Sequence, residues 1–296
     1  MKTWLKFIKR YSPVSRFDRL EQLSHGGRAT YLGNNRVLTK IVIGNFVFGF
    51  LAQADDRLIV PGLIVRGQYE PELTNYFLDN VSSTDHCLDI GANFGYYTCL
   101  MSRCAFRGKT IGIEPDPCVF ELLRDNININ SLEFSGTALH AAASDVVGQL
   151  TLYRRVTRSG NTSIVPATPE GVQYLGELAP EPFDVDSIPI DNLLSLFDNR
   201  IDFLKVDVEG AEPLVLRGAR RAIEANPQIK VVMEWSPGQI RSAGTDPGTF
   251  LQEIEKMGLR PSIIYRGGRL KSVTYSWLRE LTYSSGILLT QGSNVP

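Results

Sequence analysis

The sequence predicts a doubly wound α/β fold with a mostly parallel sheet, and three observations support this prediction. Short apolar segments alternate with segments of helical periodicity over most of the 296 residues, as in strands joined by crossover helices. Residues 201–206 and 229–233 are near-continuous apolar runs, as expected for central parallel strands that are covered on both faces. Gly91 and Gly95 lie where one predicted strand turns into a helix, which is typical of open α/β sheets.

The predicted elements follow one another in the order that such a fold requires. Strands of the main sheet are expected at residues 86–90, 110–114, 139–143, 201–206, 229–233, 261–265 and 286–289. Helices are expected at residues 71–80, from 93 onward, and at 117–128, 191–196 and 249–257. Pro71 and Pro117 suit helix starts because the N–H that proline lacks is not needed there.

Three other segments complete the predicted organisation. Residues 36–65 are predicted as strands of a small β-rich N-terminal layer. Residues 148–155 alternate and predict an extra strand, whereas residues 156–187 are rich in Pro, Gly, Thr and acids and predict a long loop, of the kind that often forms a functional lid. The chain is therefore divided into an N-terminal extension, residues 1–68, and a main domain, residues 69–296.

Charge is distributed unevenly along the chain. The net charge is −1 and 43% of the residues are hydrophobic, which argues against bulk disorder and against a dedicated nucleic-acid binder. Residues 1–40, however, contain nine Lys or Arg and only two acids, and Trp4, Leu5 and Ile8 share one face of a short helix candidate. We interpret this segment as a solvated basic extension, with weak contact to an anionic membrane surface as the open alternative.

The cysteines and the apolar runs indicate the compartment. The four cysteines lack C-x-x-C spacing, and three of them occupy apolar positions of predicted elements, which favours reduced thiols. The longest apolar stretch, residues 41–54, is shorter than the about 17–25 residues that span a bilayer. We therefore expect a cytoplasmic protein that is at most peripheral at the inner face of the membrane. No oligomeric state follows from the sequence.

The segment 87–98 carries the first ligand-binding signal, with the spacing D-x-G-x-x-x-G from Asp89 through Gly91 to Gly95. Glycines let a ligand approach the backbone closely, and a helix start offers free N–H groups. A dinucleotide would need G-x-G-x-x-G, and Asp89 would repel its pyrophosphate. The same carboxylate would suit the cationic groups of S-adenosylmethionine. This methyl donor is therefore the favoured ligand, with a dinucleotide and a purely structural turn as alternatives.

Acidic residues end the strands that follow. Glu114 lies 23 residues after Gly91, at the end of the next predicted strand, where a carboxylate can accept both ribose hydroxyls of a nucleoside. Ser144 and Asp145 follow the third strand and could bind the adenine amino group, although a simple turn explains them equally well. The strand-end acids thus predict a nucleoside site at one edge of the sheet.

A second polar cluster follows the most apolar strand, and it supplies the catalytic candidates, namely Lys205, Asp207, Glu209 and Glu234. Lys205 and Asp207 share one face of their strand, so that they either form an ion pair or act on the substrate. Asp207, Glu209 or Lys205 is the expected base. Glu234 ends the next strand and could join Asp207 in holding Mg²⁺. No third metal ligand is evident beside Glu234, where Trp235 follows. Glu209 could supply it only if the chain turns back, and a metal-free site is favoured.

Four segments resemble the FkbM family of S-adenosylmethionine-dependent methyltransferases. They are residues 69–72, 89–98, 113–115 and 203–212, and with weaker matches they span residues 65–240 in family order. The resemblance implies a seven-stranded sheet with the donor across its carboxyl edge. It also implies donor-binding roles for Glu72, Asp89, Gly91, Ala92, Asn93, Gly95, Tyr96, Glu114, Pro115, Ser144, Asp145 and Asp207.

The resemblance also implies a reaction. Such proteins often O-methylate sugars of polysaccharides or hydroxyls of natural products, so the expected acceptor is a small molecule or glycan and not a nucleic acid. The Asn/Asp-Pro-Pro-aromatic signature of many amino-group methyltransferases is missing after residue 206, which agrees with an oxygen acceptor. Residues 161–163 are expected at the acceptor site or its lid. A dinucleotide-dependent oxidoreductase and a non-catalytic nucleotide-binding module are the alternative functions.

Overall fold

The computed structural model describes residues 29–292, and the helix candidate around Trp4, Leu5 and Ile8 lies outside them. The strands are β1 Ala29–Gly33, β2 Arg36–Ile43, β3 Phe46–Gln53, β4 His86–Ile90, β5 Lys109–Glu114, β6 Gly136–His140, β7 Ala142–Ala143, β8 Gly148–Arg154, β9 Glu181–Ile188, β10 Phe203–Val206, β11 Lys230–Trp235, β12 Leu259–Tyr265, β13 Arg269–Ser272 and β14 Ser284–Gln291. The α-helices are α1 Val60–Arg66, α2 Pro71–Asn80, α3 Tyr96–Cys104, α4 Pro117–Ile129, α5 Pro169–Leu175, α6 Glu212–Gly218, α7 Arg220–Ala225, α8 Pro237–Ser242, α9 Pro247–Lys256 and α10 Tyr275–Glu280.

The main sheet has the strand order β13-β12-β14-β11-β10-β4-β5-β6. The strands from β11 to β6 in this order are parallel to one another. Strand β14 runs antiparallel between β11 and β12, and β13 pairs antiparallel with β12. The prediction of a doubly wound, mostly parallel α/β sheet is thus confirmed. The short strand β13 joins the seven expected strands, because the chain folds back on β12 after a turn that contains two glycines at positive φ, Gly267 and Gly268.

The two faces of the sheet bury separate hydrophobic clusters. Helices α2, α3 and α4 pack with the N-terminal strands against one face, and α6, α7 and α9 pack against the other. Cys87 and Leu88 belong to opposite clusters, because successive side chains of a strand point to opposite faces. Asp89 therefore points towards the α3 side. Among residues 29–292, no helix combines the length and the apolar character needed to span a bilayer.

Strands β1, β2 and β3 form a separate antiparallel sheet, as predicted for the N-terminal layer. Two asparagines of α4 bond to its β3 edge: the N–H of Leu51 donates to Asn126 Oδ1 at 2.7 Å, and the N–H of Gly49 donates to Asn130 Oδ1 at 3.0 Å. Both amide groups also donate back to the carbonyls of the same two residues. The asparagines thereby satisfy an edge that would otherwise expose backbone donors and acceptors. The domain division after residue 68 stays a prediction.

Residues 60–66 correct the prediction of strands up to residue 65, because they form helix α1. The carboxylate of Asp56 accepts hydrogen bonds from the N–H groups of Leu58, Ile59 and Val60 at 3.0, 2.7 and 3.2 Å. Such side-chain capping satisfies donors that have no partner within the first turn of a helix. Gly67 ends the helix with a φ of 68°, a conformation that glycine adopts without strain. The apolar residues thus follow helical periodicity, although their composition suits a strand.

Residues 156–187 correct the prediction of a long loop. They contain helix α5 and most of strand β9, which pairs with β8 antiparallel and with β7 parallel in a third sheet. In β9, Val185 and Ser187 are buried whereas Asp184 and Asp186 are exposed, so a strand alternation was present within the acidic composition. The expected strand 139–143 is likewise divided, since β6 belongs to the main sheet and β7 to the third sheet.

Candidate active site

Gly91 lets two backbone segments meet at the carboxyl edge of the sheet. Its φ is 71°, and a Cβ atom at this position would lie 1.8 Å from the carbonyl oxygen of Asp207. The N–H groups of Gly91 and Ala92 both donate to the carbonyl of Ile113 at 3.0 Å. These two N–H groups are therefore already paired, in contrast to the free donors expected at the turn. The turn is fixed by its contacts with β5 and with the residue that follows β10.

Glu114 holds the next segment of the turn. Its carboxylate accepts the N–H of Asn93 at 2.8 Å and the N–H of Asp116 at 2.9 Å. Asn93 has a φ of 51°, a left-handed conformation that asparagine tolerates better than most residues. Burial raises the pKa of Glu114 to about 8, against the opposing effect of the Asp116 N–H. Each carboxylate oxygen has accepting capacity left, so Glu114 can also receive ribose hydroxyls.

A cleft of about 600 Å³ opens above this turn. Six of the predicted site residues line it: Gly91, Asn93, Glu114, Pro115, Asp207 and Glu209. The cleft also has an apolar wall that was not predicted from the sequence. The wall consists of Ile90, Ile113, Ala141, Ala142, Ala143, Leu150, Leu152, Ile164, Val208 and Ala211. Leu150 and Leu152 are two residues apart in β8, so the alternation of that strand was the signal that could have revealed them. The cleft combines an apolar wall with carboxylates, as small-molecule sites commonly do.

The segment 159–164 lies over the cleft and contributes Ser159, Gly160, Thr162 and Ile164 to its lining. Side-chain contacts anchor it at both ends. The hydroxyl of Ser159 donates to Asp56 Oδ2 at 2.9 Å, and the hydroxyl of Ser163 donates to the carbonyl of Glu209 at 2.9 Å. Of the predicted residues 161–163, Thr162 reaches the cleft itself. The role of this segment in acceptor binding stays a prediction.

Several residues with predicted donor contacts lie away from the cleft lining. Tyr96 is buried in the core, where its hydroxyl accepts the N–H of Tyr69 at 3.2 Å. Ser144 is 1% exposed, and its hydroxyl donates to Asp145 at 3.3 Å. The other predicted residues that do not line the cleft are Glu72, Asp89, Ala92, Gly95 and Asp145, together with Lys205 and Glu234 among the catalytic candidates. Their roles in binding and catalysis stay predictions.

Asp89 and Lys205 form a buried ion pair on neighbouring strands. The register places them directly opposite each other, and Lys205 Nζ lies 3.3 Å from Asp89 Oδ1 and 3.3 Å from Asp207 Oδ2. Burial opposes the charge of Lys205, but Asp207 and Asp89 outweigh it, so that the pKa of Lys205 is raised. Lys205 is therefore an ammonium at neutral pH, and the structure does not favour it as the proton acceptor.

Asp207, Glu209 and Glu234 converge, and one carboxylate oxygen of each lies within 4.8 Å of the others. Glu209 has a φ of 54° and accepts a hydrogen bond from the amide of Gln239. Burial and then the charge of Glu234 raise the pKa of Glu209 well above its ordinary value. Burial and then Asp207 raise the pKa of Glu234 to about 8. Glu234 can therefore hold a proton near neutral pH. The three carboxyl groups together would also suit a divalent cation.

Glu70 is a further acid that interacts electrostatically with Asp207, whereas its neighbour Glu72 was the acid predicted from the sequence. Its carboxylate accepts the hydroxyl of Tyr97 at 2.8 Å. Burial and then Asp207 raise the pKa of Glu70 to about 7. Tyr283, whose pKa is raised by burial and then by the charge of Glu234, was also missed. The motif at residues 69–72 contained the signal for Glu70, whereas Tyr283 lies in a segment without a motif.

The fold and the cleft define the class of protein. A mostly parallel sheet carries a glycine turn, the strand-end carboxyl of Glu114 and an apolar pocket along one edge, an arrangement found in nucleoside-binding α/β enzymes. The family model described as a methyltransferase FkbM domain matches residues 89–261. The chain belongs to this family of S-adenosylmethionine-dependent methyltransferases, as the motifs indicated. This assignment does not favour a dinucleotide-dependent oxidoreductase.

The chain is similar to one curated protein and to several solved structures. Methyltransferase sdnD of Sordaria araneosa is 31% identical over 187 residues, which are 56% of this chain and 72% of the relative. Among solved structures, the FkbM methyltransferase of Methylobacillus flagellatus aligns with a TM-score of 0.45 and 16% identity over 76% of this chain. The chain spans about half of that protein, 49% of its length. The 16S rRNA N2 G1207 methyltransferase of T. thermophilus, solved with AdoMet and guanosine, aligns with a TM-score of 0.43 and 13% identity over 89% of this chain and 52% of that chain.

Proposed function

We propose that the protein transfers the methyl group of S-adenosylmethionine to a hydroxyl of a sugar, glycan or natural product. The observation that carries this proposal is the position of Asp207 and Glu209, which line the donor cleft and lie within reach of Glu234. A hydroxyl must lose its proton as it attacks the sulfonium methyl, so a base within hydrogen-bond reach is required. The donor and the acceptor must also be held in line, with the reacting atoms about 3 Å apart.

Carboxylates supply the base in this proposal. An acid whose pKa lies near the working pH is well matched to proton transfer, and burial raises the pKa of Glu234 to about 8. Asp207 is 30% exposed in its side chain and lines the cleft. Asp207, Glu209 or Glu234 therefore takes the proton, whereas Lys205 remains an ammonium that holds Asp207.

The donor is assigned to the opposite part of the cleft. Glu114 would accept the ribose hydroxyls, and the apolar wall formed by Ala142, Leu150 and Ile164 would cover the adenine. Asp145 would lie at the adenine edge, as its position after β7 suggests. Gly91 and Asn93 would border the methionine moiety next to Asp207.

A metal-assisted version uses the same residues. Asp207, Glu209 and Glu234 offer three carboxylate oxygens within 4.8 Å of one another, and Mg²⁺ binds such oxygens together with water and substrate oxygens. A bound ion would acidify the acceptor hydroxyl. The metal-free version is preferred because Glu234, the third possible ligand, does not line the cleft together with Asp207 and Glu209.

The test is a transfer assay with methyl-labelled S-adenosylmethionine and a panel of acceptors. The panel contains free and nucleotide-linked sugars, polyols, phenols, matched amines and a structured RNA. We expect label in an alkali-stable ether of a hydroxyl compound, and no label with the variant Asp207→Asn. The matched control is Asp184→Asn, since Asp184 is exposed on the third sheet. Label on amines or RNA without any on hydroxyl compounds would contradict the proposal.

A further inference from the structure

The carboxylate of Asp89 is enclosed by protein on all sides. The residue is 0% exposed, and the hydroxyl of Thr98 donates to its Oδ2 at 2.6 Å. Its Oδ1 lies 3.3 Å from Lys205 Nζ. Although Asp89 begins the glycine turn, its side chain has no open path to the cleft. Within residues 29–292, the polar side chains recorded at the Asp89 carboxylate are thus those of Thr98 and Lys205.

Lys205 connects this buried acid to the cleft. Its side chain is 4% exposed, and its ammonium lies 3.3 Å from Asp207 Oδ2, whose side chain is 30% exposed. The ring centroid of Tyr97 lies 5.1 Å from the same ammonium, a cation–π distance. Two carboxylates and one ammonium leave one negative charge in the group. Asp207 is the member that reaches the cleft, so that charge is presented there.

The position of Thr98 is itself built into the sheet. Gly112 lies beside Asp89 in the register of β4 and β5, and a Cβ atom at Gly112 would lie 2.4 Å from Thr98 Oγ1. Only a glycine therefore leaves room for the threonine hydroxyl at the Asp89 carboxylate. Burial of an unpaired carboxylate is strongly unfavourable, so Thr98 and Lys205 together make the buried position of Asp89 tolerable.

We propose that Asp89 is a positioning residue. Thr98 holds its carboxylate, and the carboxylate in turn fixes the ammonium of Lys205. Asp207 then presents one uncompensated negative charge to the sulfonium of the donor. The inference rests on the proposed function, since it assumes that S-adenosylmethionine occupies the cleft. The donor carries a positive sulfur, and the product S-adenosylhomocysteine carries a neutral one. The group formed by Thr98, Asp89, Lys205 and Asp207 therefore favours the donor over the product, and product release follows loss of the charge.

The ratio of the two affinities measures this effect. Calorimetry gives Kd for S-adenosylmethionine and for S-adenosylhomocysteine with the wild type, Asp89→Asn, Lys205→Met and the double variant. In the wild-type background, Asp89→Asn should lower the preference for the donor by about tenfold, the size expected for one charge at this range. In the Lys205→Met background, Asp89→Asn should lower the preference for the donor by less than about twofold. The effects of two residues that act through the same contact are not additive.

Milder variants keep the test informative if Asp89→Asn does not fold. Thr98→Val removes the hydroxyl but preserves shape, and Thr98→Ser retains the hydroxyl as the matched control. We expect Thr98→Val to lower the donor preference by about threefold, within the range for one lost hydrogen bond, and Thr98→Ser to leave it unchanged. Circular dichroism confirms folding for each variant.

The outcomes separate this inference from the proposed function. An equal effect of Asp89→Asn in both backgrounds would mean that Asp89 acts on the donor directly. Equal weakening of both ligands would mean a contact to the amino acid part that they share. Either result overturns the inference and leaves methyl transfer intact. A wild-type protein that binds neither ligand would remove the proposed function together with the inference.

Discussion

The hydroxyl of Tyr97 donates a hydrogen bond of 2.8 Å to the carboxylate of Glu70, and this contact joins the segment before α2 to the helix that follows the glycine turn. Glu70 has a φ of 39° directly before Pro71, where a left-handed conformation is unusual for a non-glycine residue. Strained conformations of this kind cluster at functional sites. The contact therefore holds the Glu70 carboxyl near Asp207, and the left-handed backbone of Glu70 lowers local stability.

Glu70→Gln should stabilise the protein at high pH. Burial and then Asp207 raise the pKa of Glu70 from 4.5 to about 7, so the folded chain binds this proton more tightly than the unfolded chain. Stability conferred by the protonated form is complete below pH 4.5 and is lost as the pH rises to about 7. At pH 8 the variant should be more stable by about 1–3 kcal/mol, and at pH 4 it should match the wild type. Thermal unfolding at both pH values measures the difference.

Glu72→Gln is the matched control for that experiment, because it removes the same charge two residues away in the first turn of α2. It should show no gain that depends on pH. If Glu70→Gln gained the same stability at pH 4 and at pH 8, the pKa of Glu70 would not be raised by its surroundings, and the prediction would be wrong.

Gly91→Ala should abolish donor binding and lower the melting temperature. The added Cβ atom would lie 1.8 Å from the carbonyl oxygen of Asp207, so the turn and the residue after β10 must separate, with a loss of about 2–4 kcal/mol. Gly176→Ala is the control, since Gly176 has a φ of 59° but no atom within 4 Å of an added Cβ. That variant should lose only about 1–2 kcal/mol for the left-handed conformation. Equal losses of stability in the two variants would contradict the close approach of Gly91 to the carbonyl of Asp207.

Replacing residues 161–163 by alanine should impair the acceptor and spare the donor. Thr162 lines the cleft, and Ser163 donates to the carbonyl of Glu209 at 2.9 Å, so the change should raise KM for the acceptor and lower kcat. Calorimetry with S-adenosylmethionine should give a Kd within about threefold of the wild type, a change of less than about 0.7 kcal/mol. Thr151→Ala on the exposed face of β8 is the control. Lost donor binding with unchanged acceptor kinetics would assign the segment to the donor instead.

Exhaustive chelation should leave methyl transfer intact. In the metal-free version Asp207 and Glu209 act at the cleft, whereas Glu234, the third possible metal ligand, does not line it. Activity is therefore measured after treatment with a chelator and after addition of Mg²⁺ or Mn²⁺. The metal-assisted version would be established if chelation abolished methyl transfer and added metal restored it, and if Asp207→Asn and Glu234→Gln each removed this response to metal.

The sheet could be predicted from the sequence because its central strands are long apolar runs bounded by glycines and acids. Residues 203–206 are buried without exception, and such strands have few alternative structures. Residues 60–66 were assigned wrongly because an apolar segment of this length suits a strand or a helix. Asp56 favours the helix, because its carboxylate accepts the N–H of Ile59 directly before the helix begins. Strand β9 was missed because its composition is that of a loop and its partners β7 and β8 are separated from it in the sequence.

The residues of the candidate site that directly follow strands could be predicted from the sequence, because their positions depend on the backbone alone. Gly91, Glu114 and Asp207 follow strands, and strand ends share one edge of a parallel sheet. The environment of Asp89 could not be predicted, because the side-chain direction that buries it against Thr98 depends on the packing of α3. The contribution of Leu150 and Leu152 depends in turn on how the third sheet docks over the cleft.

The most direct test of the account is the binding of S-adenosylmethionine to the wild type and to Glu114→Ala, measured by calorimetry. We expect the wild type to bind the donor and not a nicotinamide dinucleotide. Loss of the Glu114 carboxyl group removes two hydrogen bonds to the ribose hydroxyls, each worth about 0.5–1.5 kcal/mol, so the affinity of Glu114→Ala should fall by about tenfold. A folded Glu114→Ala protein that binds the donor as tightly as the wild type would contradict the placement of the donor in this cleft.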